Sequence, residues 1–129
     1  MPLLSAMTTP NSLLIVDDNA DFVSACENFL TGNGFRVLKA FSGTQAVDLY
    51  AGNSESVDLA IVDLNMPELD GPTTISALRH HSPGLRVLAM SGAMLVPYFV
   101  QLNDLGVRHF LPKPFYFDGL LSSIQLAMH

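Results

Sequence analysis

Three carboxylates, a hydroxyl and an ammonium stand at matching places in this sequence of 129 residues, each closing a short apolar run. Asp17 and Asp18 end Leu13-Leu-Ile-Val16, Asp63 ends Leu59-Ala-Ile-Val62, Ser91 follows Arg86-Val-Leu-Ala-Met90, and Lys113 follows His109-Phe-Leu111 and Pro112. Apolar runs of this length, bounded by turn chemistry, read as strands buried on both faces, the habit of a parallel sheet. In open α/β sheets ligands bind in the crevice beyond the carboxyl ends of the strands, so polar groups at those ends are site candidates. A lone Asp after a strand is most often a solvated loop acid. The second acidic ending, Asp17-Asp18, is what gives Asp63 its weight.

Gathered in one crevice, the three acids repel one another unless a cation joins them. Oxygen ligands alone, with a few carboxylates and the remainder left to water and phosphate, describe a Mg2+ site better than a zinc or calcium cage. Ser91 and Lys113 would border the same crevice. A hydroxyl and an ammonium beside a metal-bound carboxylate point to handling of a phosphoryl group, because catalysis of that transfer is mostly positioning and charge neutralisation.

The elements that must hold these groups follow from periodicity. A helix after Asp18 is expected from Phe22, Ala25, Cys26, Phe29 and Leu30, which fall on one stripe, with Asn19 as cap and Gly32-Asn33-Gly34 as stop. Cys26 on that stripe reads as packing. Arg36 to Phe41 alternates as a strand, and Ser42-Gly-Thr-Gln45 is a capping-box pattern opening a helix with Ala46, Val47 and Tyr50. After Asp63, Pro67 and Gly71 shape a turn, Asp70 caps, and Pro72 suits the first turn of a helix with Ile75 and Leu78. His80 and His81 end that helix, where cations suit the dipole, with no partner at metal-ligand spacing. Pro97 starts a short helix that stops at Gly106, and a last helix buries Leu120, Leu121, Ile124 and Ala127. Five strands alternating with five helices make a doubly wound parallel sheet, and strand order 2-1-3-4-5 is the economical arrangement. It sets strands 1 and 3 side by side at the switch point, so the three acids converge.

Composition bounds the function. Six Lys+Arg against twelve Asp+Glu give a net charge of -6 with no basic run, so direct nucleic acid binding is not expected. Hydrophobic residues make up 49% of the chain and mean hydropathy is +0.33, yet no apolar run approaches the roughly 18 residues of a membrane span. A soluble protein with no membrane partner is expected. A single cysteine rules out an internal disulfide framework and fits a cytoplasmic location. Residues 1–12 read as a flexible N-terminal tail and 13–128 as one domain.

Over residues 13–128 the chain resembles the receiver domain of two-component response regulators. The resemblance rests on Ile15-Val-Asp-Asp18, Ile61-Val-Asp-Leu-Asn-Met-Pro67 with Asp70-Gly71, Met90-Ser-Gly92 and Leu111-Pro-Lys-Pro-Phe115, each weak alone and specific in this order. It implies that Asp63 accepts a phosphoryl group from a sensor histidine kinase or phosphotransfer protein. It also implies that Asp17 and Asp18 form the acidic pair, with Asp18 and Asp63 binding Mg2+ beside the Asn65 backbone carbonyl. By the same resemblance Ser91 is the switch hydroxyl, Lys113 the phosphate-binding lysine, and Phe110 the aromatic that changes rotamer. The Lys113-Pro114 bond is expected to be cis. Such a chain is a signalling domain, not an enzyme, its chemistry limited to self-phosphorylation from donors and self-dephosphorylation. Output is expected through the fourth helix, fifth strand and last helix, onto a protein effector or a second copy of the chain.

Several residues depart from the family pattern. Leu102 and Leu105 replace small residues, Met94-Leu-Val-Pro97 is unusually apolar, and Tyr116 stands where a polar cap is common. These fall on the output side and leave the acceptor site alone. Other classes fit less well. A flavodoxin-like carrier would set flavin phosphate against Asp17-Asp18, and the P-loop pattern is absent. An aspartyl-phosphate hydrolase would share the nucleophilic Asp and Mg2+ but place an acid where Asn65 stands. A degenerate receiver acting without phosphorylation would not need the intact acid set.

Overall fold

Alternation along the strands decides which helices cover which face. The computed structural model describes residues 11–92 and 96–129. Strands β1 (Ser12–Val16), β2 (Arg36–Ala40), β3 (Leu59–Asp63), β4 (Arg86–Ser91) and β5 (His109–Pro112) pair in parallel in the order β2-β1-β3-β4-β5. Leu13, Ile15, Leu59, Ile61, Leu88 and Met90 face one layer of helices, α1 (Ala20–Gly32) and α5 (Phe117–Ala127). Leu14, Val16, Ala60, Val62, Val87 and Ala89 face the other, α2 (Gly43–Ala51), α3 (Gly71–His81) and the short α4 (Phe99–Asp104). Because β1 and β3 are buried on both sides, a one-residue slip would exchange every core contact, so the register Ile15↔Ile61 is tightly specified. Each buried Leu or Ile contributes about 1.5–3 kcal/mol.

Caps fix where the helices begin beside the strand ends. Asn19 accepts from the Phe22 N–H at 3.1 Å, Ser42 from Gln45 at 3.0 Å and Asp70 from Thr73 at 2.9 Å, each contributing about 1 kcal/mol. The Gln45 amide reaches back to the N–H of Phe41, one residue before the cap. At the far end of α4, Arg79 donates through Nη1 to the Leu105 carbonyl and through Nε to that of Leu85 at 3.2 Å. Gly106 ends the segment at φ +72°, a conformation glycine adopts without strain. No helix among the described residues is long and apolar enough to cross a membrane.

Several expectations shift by small amounts. The innermost stripe of α1 is Val23, Cys26 and Leu30, while Ala25 is exposed and Phe22 and Phe29 are half-buried. The two rings lie at the edge of the stripe because they pack sideways onto Phe115 and Phe117, with centroids 5.7 and 4.7 Å apart. Leu121 is half-buried on α5. Pro97 sits within a 3-10 turn (Val96–Tyr98), and α4 proper begins at Phe99. β1 opens at Ser12, whose N–H donates to Asp58 at 2.8 Å. The tail expected ahead of it falls mostly on residues 1–10, outside the described residues, as do Met94 and Leu95 of the apolar loop.

Gly71 holds the β3–α3 turn against the site. A Cβ there would lie 2.4 Å from Leu64 Cα and 2.7 Å from the Asp63 carbonyl oxygen, both backbone atoms with little room to yield. Gly71→Ala is therefore expected to destabilise the fold by about 1–3 kcal/mol, measured by urea unfolding. An unchanged midpoint would show that the turn relaxes freely.

Candidate functional site

The strand order brings the ends of β1 and β3 together, and the acids at those ends converge. Carboxylate oxygens of Asp17, Asp18 and Asp63 lie within 4.8 Å of one another. Asp17 is 1% exposed and Asp63 5%, while Asp18 is open to solvent. Asp17 is held by the Asn19 N–H at 2.9 Å, so the loop that starts α1 also aims this acid. Lys113 enters from the end of β5, where its N–H donates to the Ser91 carbonyl at 2.8 Å and a cis bond leads into Pro114. Its ammonium pairs with Asp17, lies 3.8 Å from Asp63 and sits 4.3 Å above the Phe22 ring.

One ammonium does not neutralise three acids. The Asp63 carboxyl is pushed up to about 6, first by burial and then by the charge of Asp17, with Lys113 and the Asn65 N–H at 3.3 Å opposing only in part. A site short of positive charge, built from oxygen donors with one acid facing water, fits a hard divalent cation. With Asp17 engaged by Lys113, Asp18 and Asp63 are the carboxylates that could hold one. His80 and His81 belong to no such group among the described residues. Burial, with Asp17 adding, pushes the Cys26 thiol up to about 11, in keeping with a packing role.

Ser91, 2% exposed, donates to the Asn65 side-chain oxygen at 2.8 Å, and the Asn65 amide donates to the Tyr98 hydroxyl at 3.0 Å. Phe110 stands apart from the carboxylates. It is half-buried on the α4 side of the sheet, its register partner is Ala89, and its ring centroid is 6.4 Å from that of Phe99. By the two-residue repeat of a strand, Ala89 and Ser91 share that same side. The site thus includes every residue singled out from sequence except Phe110, which borders it through β4. Phe22, Tyr98 and the Asn65 side chain were not anticipated. Phe22 carried a signal, being in the first turn of the helix that follows the acid pair; Tyr98 carried none.

Comparison with known proteins places this geometry. The response regulator receiver domain family matches residues 13–125. The chain is 31% identical to the chemotaxis protein CheY of Bacillus subtilis, covering 91% of this chain and 97% of that one. It is 34% identical to the transcriptional regulatory protein GlrR of Escherichia coli over 92% of its own length, but spans only 26% of GlrR. Among solved structures, the CheX-CheY-BeF3-Mg2+ complex from Borrelia burgdorferi superposes with a TM-score of 0.88 at 25% identity, over 97% of this chain and 94% of that one. The family match over most of the chain, with a full-length relative above 30% identity, shows that this protein belongs to the response regulator receiver domains of two-component systems.

Proposed function

We propose that Asp63 is the phosphoacceptor, taking a phosphoryl group from a histidine kinase or phosphotransfer protein. The carrying observation is the convergence of Asp17, Asp18 and Lys113 on an Asp63 that is nearly buried yet lies where β3 opens into the crevice. A carboxylate oxygen of Asp63 bonds to phosphorus as the phosphorus–nitrogen bond of phosphohistidine breaks. The imidazole leaves with the electron pair and takes up a proton. Lys113 stands ready to meet the phosphoryl oxygens as a compact point charge. Asp18, Asp63 and the Asn65 carbonyl would hold Mg2+, which when bound offsets carboxylate charge and orients phosphoryl oxygens. An aspartyl-phosphate hydrolase would need an acid where Asn65 stands, and that amide is committed to Ser91 and Tyr98.

Phosphoryl uptake is expected only with a divalent cation. Incubation with acetyl phosphate, in Mg2+ or in chelator, followed by mass spectrometry, decides it; a mass gain that persists in chelator overturns the site assignment.

The reader of the phosphate is the Ser91 hydroxyl, which gains a partner present only in the phosphorylated state. Space behind Ser91 is then open to Phe110, which shares its face of the sheet, and turning inward would change the surface formed by α4, β5 and α5. Phe99 and Val100 on α4 are exposed apolar residues there, 58% and 73% accessible, suited to a protein effector or a second copy of the chain. Ser91→Ala is expected to leave Asp63 able to take phosphate while blunting amide shifts in α4 and β5 on phosphorylation. Loss of uptake with Mg2+ binding intact would assign Ser91 to the chemistry instead.

A further inference from the structure

Tyr98 lies outside every motif that carries the family resemblance, yet it is bonded to the site. The polar chain Ser91 Oγ to Asn65 Oδ1 at 2.8 Å, then Asn65 Nδ2 to Tyr98 Oη at 3.0 Å, runs from the end of β4, across the loop after Asp63, to the turn that starts α4. We propose that Tyr98 is a positioning residue: through Asn65 it holds the Ser91 hydroxyl toward the amide in the unphosphorylated chain and latches the start of α4 to the crevice. The inference rests on the acceptor reading of Asp63.

The geometry makes the two functions inseparable. A primary amide is planar, so an Asn65 side chain engaged at its oxygen by Ser91 and at its nitrogen by Tyr98 is fixed in orientation by both. Its backbone N–H is at the same time directed at the Asp63 carboxylate at 3.3 Å, which ties this residue to the acceptor as well. Tyr98 occupies the N-cap place of α4 without a side-chain cap bond, and Phe99 and Val100 beyond it are largely exposed. The ring of Tyr98 packs against the core on the α3–α4 side, so its hydroxyl reaches Asn65 from a settled base. When a phosphoryl oxygen draws the Ser91 hydroxyl away, the Asn65 oxygen loses its donor, the amide is free to turn, and the Tyr98 bond is weakened with it. Coupling between two sites is reciprocal, so breaking the Tyr98 end must ease the movement of Ser91 toward a phosphoryl group.

The test uses beryllofluoride with Mg2+ as a stable phosphoryl mimic, read by amide NMR on the wild-type chain, Tyr98→Phe, Asn65→Ala and the double variant. Tyr98→Phe keeps the ring and removes only the hydroxyl. In the free protein it is expected to shift the Asn65 side-chain amide and the amides of Phe99 to Asp104, and it should bind the mimic roughly two- to tenfold more tightly, the worth of one hydrogen bond. Adding Tyr98→Phe to Asn65→Ala should change the affinity no further, since the two act through one chain of bonds. Normal wild-type binding together with equal or weaker binding by Tyr98→Phe, fully additive effects, or an unmoved Asn65 amide, overturns the latch alone. A wild-type chain that takes up no beryllofluoride overturns the acceptor reading and the latch with it.

Discussion

Asp63→Asn is expected to abolish phosphoryl uptake altogether and, in chelator at neutral pH, to raise the thermal midpoint. The first effect follows because an amide offers no nucleophilic oxygen of comparable strength. The second follows from the direction of the carboxyl shift. Burial and Asp17 push Asp63 up to about 6 from an ordinary value of 3.8, so the folded chain binds its proton more tightly than the unfolded chain does. Stability therefore falls as pH rises between roughly 4 and 6, and the cost of the charge is fully present above that window. Asparagine removes it. The gain should be about 3 kcal/mol at pH 7 and vanish below about pH 4, measured by thermal unfolding across that range. Mg2+ should stabilise the wild-type chain and leave Asp63→Asn nearly unmoved. A variant that is less stable than wild type at pH 7 would mean that the site is already neutralised without a cation.

Lys113→Ala carries the other large effect. Its ammonium pairs with Asp17 and lies within 4 Å of Asp63, so its loss leaves a buried acid pair without its cation. Uptake of phosphate from acetyl phosphate should slow on the order of 100-fold, the typical consequence of deleting a preorganised charge from a transition state. Stability in chelator should drop by about 2–3 kcal/mol, because Asp17 loses a charge-assisted partner while staying buried. Lys113→Arg is not expected to restore the rate, since a planar fork does not reproduce a compact ammonium above the Phe22 ring. Wild-type rates in Lys113→Ala would remove the lysine from the mechanism.

The positions of Asp17, Asp18, Asp63, Ser91 and Lys113 were legible because strand ends are written in the sequence twice, by where an apolar run stops and by the turn chemistry that follows. The sheet order was legible for a related reason: right-handed crossovers and two-sided burial leave few alternatives. Contacts that depend on how one layer lies on another were not. Ala25 has the right spacing for the core and is exposed, because the α1 stripe turns to let Phe22 and Phe29 meet rings from the β5–α5 segment. Asn65 was assigned only a backbone carbonyl, since nothing local says that its amide spans from β4 to Tyr98. Tyr116 was legible as a departure, and it is an exposed helix start with no side-chain cap bond.

The anchoring of α4 by Arg79 has a mechanical consequence. With the Leu105 carbonyl held by the guanidinium and Leu102 buried in the core, the helix has a fulcrum near its C-terminal end. Six residues at 1.5 Å rise give a lever arm of roughly 9 Å. Release at the Tyr98 end, as proposed above, would then be a swing whose travel grows along that arm, smallest at Asp104 and largest at Phe99. On the proposed latch, the exposed apolar side chains of Phe99 and Val100 would therefore sit on the part of α4 that moves farthest, beside the bond whose release sets it moving.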